Sequence, residues 1–384
     1  MISKEVINQK QATVMMSTFI IGSTAVLGVG SRAKQDVWIA FILAIVFAGV
    51  MFIVYARILK LIPGKGLYDI LETLFGKVVG KMISLLYVWY AFHLGALVIR
   101  NITEFMTTIS LPETPICIIA FTVSLLVIWA VRGGIELIGR WISIFFPIMI
   151  LFIFTITLLT SPLIEFKNLK PILYNGLQPV FKSAFEIFSF PFAETILFIT
   201  ILGSLSKSGS SYKVYFLSLL IGGAIVTLIA VRNVLVLGAG DTSISYFASY
   251  SSTRLINIGN FLQRIEVTVS IVFITSAFIK CCVCLSAFTT GVASIFNIKD
   301  YHRIAAPLGL LMAIFSITVY KSTMEMFEWA AKFYVYYAIP FQIIIPVIIW
   351  ITAEVKTRIA KNNANGNGNG NTSTNISADA STSS

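Results

Sequence analysis

The sequence predicts an all-α integral membrane protein of about ten transmembrane helices, and three observations predict it. Of its 384 residues, 57% are hydrophobic and only 12% charged, whereas a soluble domain carries roughly a quarter charged residues. Ten apolar segments follow one another along the chain, most of them near the ~20 residues that cross a ~30 Å hydrocarbon layer as helix. The alternating ~10-residue pattern of a membrane barrel is missing. Each lipid-facing segment must then satisfy its backbone hydrogen bonds within itself, as a helix does.

Residues 1–11 form a short polar N-terminus. The segments run 12–30, 37–59, 82–107, 115–131, 141–160, 184–203, 213–238, 267–297, 304–320 and 333–351. The first is long and continues into the protein, which argues against a cleavable signal peptide. The membrane domain, 12–357, divides into halves of five segments, about 12–160 and 184–351, with the outer connector 161–183 between them. A second long connector covers 239–266, and connectors of this length in a compact fold are more often functional than idle. From 358 to 384 the chain turns to Asn, Gly, Ser and Thr, which cannot bury a core, so a disordered tail is expected.

The net charge of +11 is spread over short connectors without an aromatic-interleaved basic patch, so no nucleic-acid partner is expected. It reads as a topology signal. With the N-terminus inside, sixteen Lys and Arg fall on the cytoplasmic side and nine on the outer side, and Arg100, Arg232 and Lys280 within segments complete the 28. That asymmetry places both termini in the cytoplasm. Cys117, Cys281, Cys282 and Cys284 all lie in apolar stretches without paired metal-ligand spacing, so they read as packing residues, and neither a metal nor a cofactor is expected.

Two segments carry helix breakers. Segment 1 contains Gly22-Ser23-Thr24-Ala25, followed by Gly28 and Gly30, a run that permits unwinding and close approach to the backbone. Segment 6 contains Ser189-Phe190-Pro191-Phe192-Ala193-Glu194, in which Pro191 removes an internal hydrogen bond and breaks the helix. Gly and Pro are common in membrane helices, so one break alone says little. Two breaks five segments apart point to a transporter-type binding site near mid-membrane. Gly22, Ser23, Thr24, Ala25, Ser189, Phe190 and Phe192 are the expected ligand-binding residues. Half-helix N-termini would face an anionic group such as a carboxylate, and freed carbonyls a cation. Pro191 and Glu194, one turn beyond it, are expected to shape the site.

A charge at mid-span costs roughly 2.5–3.5 kcal/mol even on the lenient insertion scale, so each needs a partner or water. His93, Arg100 and Glu104 share one face of segment 3, and Arg100 can pair with Glu104. The pair reads either as a structural bridge facing the bundle interior or as a gate. His93 reads either as a packing residue or as a proton carrier. Lys280, near the middle of segment 8, lies too deep to snorkel easily, and its expected acceptors are carbonyls freed near Gly22–Ala25. Arg232 lies nearer the outer end of segment 7, where snorkelling is an alternative.

These residues resemble the B subunits of bacterial spore germinant receptors, a branch of the amino acid–polyamine–organocation superfamily. The resemblance covers nearly the whole chain to about Thr357. Pro191-Phe192-Ala193-Glu194 resembles the family's Pro-Phe-Gly-Glu signature, and Asn168-Leu169-Lys170-Pro171 with Gly176 and Pro179 its outer-loop stretch. Arg264-Ile265-Glu266, Phe278-Ile279-Lys280 and the Arg100/Glu104 pair are similar to further family motifs. Ala193 departs from the usual Gly, Phe273 from a common Trp, and segment 1 lacks the Pro that often follows its glycines.

The resemblance implies a LeuT-like five-plus-five inverted repeat with helices 1 and 6 broken and a site between helices 1, 3, 6 and 8. It also implies a cell-membrane location in the spore inner membrane, A and C subunits as partners beside the lipid bilayer, and a small-molecule germinant, typically an amino acid. In sodium-coupled relatives of this fold an ion bridges helices 1 and 8, and Lys280 is expected to hold that place. An amino-acid permease, proton-coupled or uncoupled, is the competing reading. An enzyme is not expected, since no acid–base or metal constellation gathers in the sequence.

Overall fold

The computed structural model describes residues 5–256 and 265–370 of the chain. Arg264 and the end of the tail, 371–384, lie outside the described residues. Helix α1, Gln9–Ile21, opens on a capping box in which Gln11 N donates to Asn8 Oδ1 at 2.8 Å and Asn8 N donates to Gln11 Oε1 at 3.1 Å. This satisfies two otherwise orphaned amides. The helix stops at Gly22, whose φ of 28° belongs to glycine, and a 3-10 turn, Gly22–Ala25, follows. After a second 3-10 turn, Ser31–Asp36, come α2 (Val37–Leu61), α3 (Leu67–Phe105), α4 (Ile116–Arg132) and α5 (Ile135–Leu159).

The second half begins with α6 (Leu177–Ile187), a wide π turn (Phe188–Phe192), a 3-10 turn (Ala193–Leu197) and α7 (Phe198–Leu202), which together make one interrupted crossing. Within it Phe190 is extended, at φ −135° and ψ 108°. Next are α8 (Ser211–Ile244), the short α9 (Ala248–Arg254), α10 (Glu266–Phe296) and α11 (Ala305–Thr318). The chain ends with α12 (Thr323–Lys332), α13 (Tyr334–Ile339), a π turn and α14 (Ile345–Gly370). Among the described residues, eight helices are long and apolar enough to cross a membrane. The 17-residue α4 is a shorter apolar helix, and the interrupted α1 completes the ten segments.

The connectors alternate between two faces of the bundle. On the near face Glu5 meets His302 at 3.0 Å and Tyr301 at 2.9 Å, and Ile7 N donates to Ser204 O at 3.0 Å. Arg57 pairs with Glu354 of α14 at 2.7 Å on that face too. On the far face Leu173 N donates to Asp36 Oδ1 at 2.9 Å, Gln35 Nε2 to Pro171 O at 3.0 Å and Arg32 Nη2 to Ala331 O at 2.7 Å. The centre is built where α1 and α2 pack on α8, and α3 on α10. Glycine permits this approach: a Cβ at Gly222 of α8 would lie 3.0 Å from Ile20 Cβ of α1.

Three boundaries differ from the sequence reading. Helix α3 starts at Leu67 rather than 82, because Asp69, Glu72, Lys77 and Lys81 lower the hydropathy of a stretch that is helical on both sides of a kink at Gly76. The connector expected over 161–183 ends at 176, since α6 begins at Leu177. Helix α14 continues past 358, where the tail was expected to begin, to Gly370, since each residue added to an established helix gains a hydrogen bond without a new nucleus.

Candidate functional site

At the break in the first crossing the Gly22 carbonyl is freed, and Ser276 of α10 donates its hydroxyl to it at 3.0 Å. One turn further along α10, Lys280 lies against the same glycine. A Cβ at Gly22 would come within 2.9 Å of Lys280 Cδ, so glycine is required by both its φ and its contact. The Lys280 ammonium is not held by carbonyls near Gly22–Ala25, as the sequence suggested. It donates to Glu194 Oε2, and both side chains are 0% exposed. The physical reason is charge: a carboxylate neutralises a buried ammonium, and a carbonyl dipole does not. Tyr334 of α13 donates to the other oxygen, Glu194 Oε1. The ammonium also faces the rings of Phe19 at 5.0 Å and Phe190 at 4.4 Å, an arrangement favourable for a desolvated cation. Lys280 therefore binds the first, sixth, eighth and tenth crossings together.

The break in the sixth crossing is satisfied from α13 and the turn that follows it. Gln342 Nε2 donates to Ser189 O at 2.8 Å and to Tyr90 Oη at 2.9 Å, while the Ser189 hydroxyl donates to Gln342 Oε1 at 2.9 Å. Tyr55 donates to the Gln342 carbonyl at 2.5 Å. A glutamine in an otherwise apolar segment was the available signal for this role. Asn101 was missed too: its Nδ2 donates to Ser23 Oγ at 3.2 Å, tying α3 to the first break.

A cavity of about 270 Å³ opens beside this centre. Leu94, Leu97, Val98 and Asn101 of α3 form one wall, and Leu27 to Ser31 after the first break form another. Phe190, Glu194 and Tyr334 make its floor, and α12 covers it with Met326, Phe327 and Trp329. Every connector that contributes belongs to the far face. Of the expected site residues, Phe190 and Glu194 border the cavity. Gly22, Ser23, Thr24, Ala25, Ser189, Pro191 and Phe192 are buried and do not border it, and the glycines that reach the cavity are Gly28 and Gly30.

Arg100 and Glu104 pair at 2.7 Å. Arg100 also donates to Ile317 O at 2.9 Å, and Thr323 at the start of α12 donates to Glu104 Oε2 at 2.5 Å. The pair thus anchors the α11–α12 connection above the cavity. Arg32 adds a clasp the sequence did not reveal, reaching Glu186 of α6 at 3.0 Å and Ala331 O at the end of α12. His93 does not border the cavity; it is stacked on Trp89 at 5.7 Å and edged by Phe315, Trp329 and Tyr337.

The family signature described as "Spore germination protein" matches residues 6–324. The chain is 31% identical to spore germination protein KB of Bacillus subtilis (strain 168), over 92% of this chain and 95% of that protein. It is 24% identical to spore germination protein YndE of the same organism, over 81% of this chain and 86% of that one. Among solved structures, MhsT in complex with L-phenylalanine superposes with a TM-score of 0.67 at 12% identity, covering 90% of this chain and 89% of that one. Mhp1, a nucleobase-cation-symport-1 family transporter with bromovinylhydantoin bound, gives 0.59 at 10% identity, covering 85% and 75%. Those likenesses establish a transporter fold of the LeuT type, in which a first and a sixth crossing are interrupted as they are here. On this fold, and across almost its whole length, the chain belongs to the spore germination protein family.

Proposed function

We propose that the chain is the membrane subunit of a nutrient germinant receptor that binds a small amino acid in the far-face cavity and triggers spore germination. The observation that carries the reading is the position of the cavity, where both interrupted crossings present irregular backbone. Its chemistry suits a small amphipathic molecule. Leu94, Leu97, Val98 and Phe327 would take an apolar side chain, while Asn101 and the backbone of Gly28–Gly30 would take the polar end. Glu194 is already neutralised by Lys280, so the floor carries no net charge and suits a zwitterion. The overlapping solved structure bound to L-phenylalanine supports an amino acid as ligand. In this reading the far face is the outer side, the protein resides in the spore inner membrane with both termini cytoplasmic, and A and C subunits complete the receptor.

Signalling is favoured over transport by what lies beneath the floor. Tyr55, Tyr87, Tyr90 and Tyr215 are fully buried there. They are hydrogen-bonded to backbone carbonyls or to Gln342, as in Tyr87 to Phe341 O at 2.9 Å and Tyr215 to Thr195 O at 3.3 Å. Passage to the near face would break this set, whereas a tilt of α12 and α6 would not. A thermal-shift screen of the purified protein against the common amino acids tests the reading, with uptake into liposomes measured in parallel. Stabilisation by a few amino acids without uptake is expected; uptake would favour a permease, and no stabilisation by any would contradict the site.

A further inference from the structure

Residues 5–8 run as a strap across the near face before α1 begins. Ile7 is fully buried and pairs with the chain that follows α7: its N–H donates to Ser204 O at 3.0 Å, and Ser206 N donates to Ile7 O at 2.9 Å. Glu5 reaches the turn between α10 and α11, where the Tyr301 hydroxyl donates to Glu5 Oε2 at 2.9 Å and His302 Nε2 lies 3.0 Å from Glu5 Oε1. Gly134, at φ 89°, makes room for it in the α4–α5 connector, since a Cβ there would overlap Glu5 Oε1. The strap thus ties the near ends of the first and sixth crossings to two further connectors.

His302 sits between two acceptors. Its other ring nitrogen, Nδ1, lies 2.8 Å from Asp300 Oδ1. Glu5 already accepts from Tyr301, and Asp300 accepts from His302 N at 3.1 Å and pairs with Arg303 at 3.3 Å. The side-chain bond from His302 holds the Asp300 carboxyl below its ordinary range. A neutral imidazole carries one N–H and an imidazolium two, so carboxylates at both nitrogens call for the imidazolium. A neutral ring would turn a lone pair towards one of them. The His302 side chain is 23% exposed, which lets it exchange protons with water. The other charges on the elements packed here, Lys299, Arg132, Glu136 and Arg140, form no ion pair with it among the described residues, and the last two pair with each other.

We propose that His302 is a proton-operated latch for the N-terminal strap. Protonated, it bonds Glu5 to Asp300 and the strap is closed. As pH rises through the histidine range the ring loses one donor, the Glu5–His302–Asp300 bridge opens, and the near half of α1 is freed from the chain after α7. The latch depends on no ligand and on no assignment of the cavity.

The test is hydrogen exchange on the full-length protein in detergent, at about pH 5.5 and about pH 8, on either side of the ordinary histidine range. Rates are corrected for the intrinsic pH dependence of amide exchange. In the wild type, protection of the amides of Ile7 and Ser206 should be at least ~10-fold higher at the lower pH, the span of one charge-assisted hydrogen bond. In E5Q the new amide can donate to a neutral ring while still accepting from Tyr301, so protection should persist at the higher pH and its pH dependence should vanish. D300N should do the same at the other nitrogen, and it decides if E5Q does not fold. Equal wild-type protection at both pH values, or a pH dependence that survives in these variants, overturns the proposal.

Discussion

Replacing Lys280 by Met removes one half of an ion pair in which neither side chain reaches solvent. Glu194 would keep its bond from Tyr334 but lose its neutralising charge, and breaking a buried pair in this way costs about 3–5 kcal/mol. Lys280→Met should therefore destabilise the protein by about that amount. The double variant Lys280→Met/Glu194→Gln leaves no buried charge, and the new amide can still accept from Tyr334. Replacing a buried pair by neutral groups is often nearly neutral, so the double variant should recover most of the loss. Reversible unfolding in mixed detergent, read for wild type, both singles and the double, gives the coupling energy directly. Lys280→Arg should rescue poorly: the ammonium lies between the rings of Phe19 and Phe190 with its stem against Gly22, and a planar fork does not replace a point charge there. Additive singles, or a Lys280→Met protein as stable as wild type, would refute the reasoning.

Three further outcomes follow from the same geometry. Glu194→Gln alone strands the Lys280 ammonium and should shift the dose of nutrient needed for germination upward while the protein still reaches the membrane; an unchanged dose response would reduce Glu194 to packing. Gly22→Val should abolish the response by displacing the Lys280 stem and straining a backbone at φ 28°, and normal germination in that variant would show that the contact is dispensable. Arg32→Gln removes the clasp from Glu186 and Ala331 O; because the pair is part-exposed its own stability effect should be ~1 kcal/mol or less, yet ligand release should quicken in a stopped-flow displacement assay, and an unchanged off-rate would exclude a gating role.

The crossings and both breaks were legible in the sequence because lipid imposes length and apolarity, and Gly22 and Pro191 mark places where an α-helix cannot continue. The charged pairs were half legible. Arg100 and Glu104 are four residues apart on one helix, so periodicity alone joins them. Lys280 and Glu194 are 86 residues apart, and nothing local indicates that a side chain on α10 crosses the centre to the turn after Phe190. The cavity was misplaced by one turn of chain. Sequence identifies Gly22–Ala25 as the flexible stretch, but Lys280 fills the space beside Gly22, which moves the open volume to Gly28–Ser31. The cover made by α12 was not legible, since its helix is short and amphipathic and its place is set by Thr323, Arg32 and Trp329 reaching residues far away in sequence.

The central claim is that a small amino acid occupies the cavity between the two interrupted crossings. Leu97 lines that cavity without belonging to the Lys280–Glu194 network, so Leu97→Trp fills the volume while leaving the ion pair in place. The direct measurement is calorimetric binding of the stabilising amino acid to wild type and to Leu97→Trp, with unfolding midpoints recorded for both. The account predicts saturable single-site binding by the wild type and a loss of more than ~10-fold in affinity, about 1.4 kcal/mol, in the variant at an unchanged midpoint. Wild-type affinity in a folded Leu97→Trp protein would contradict it.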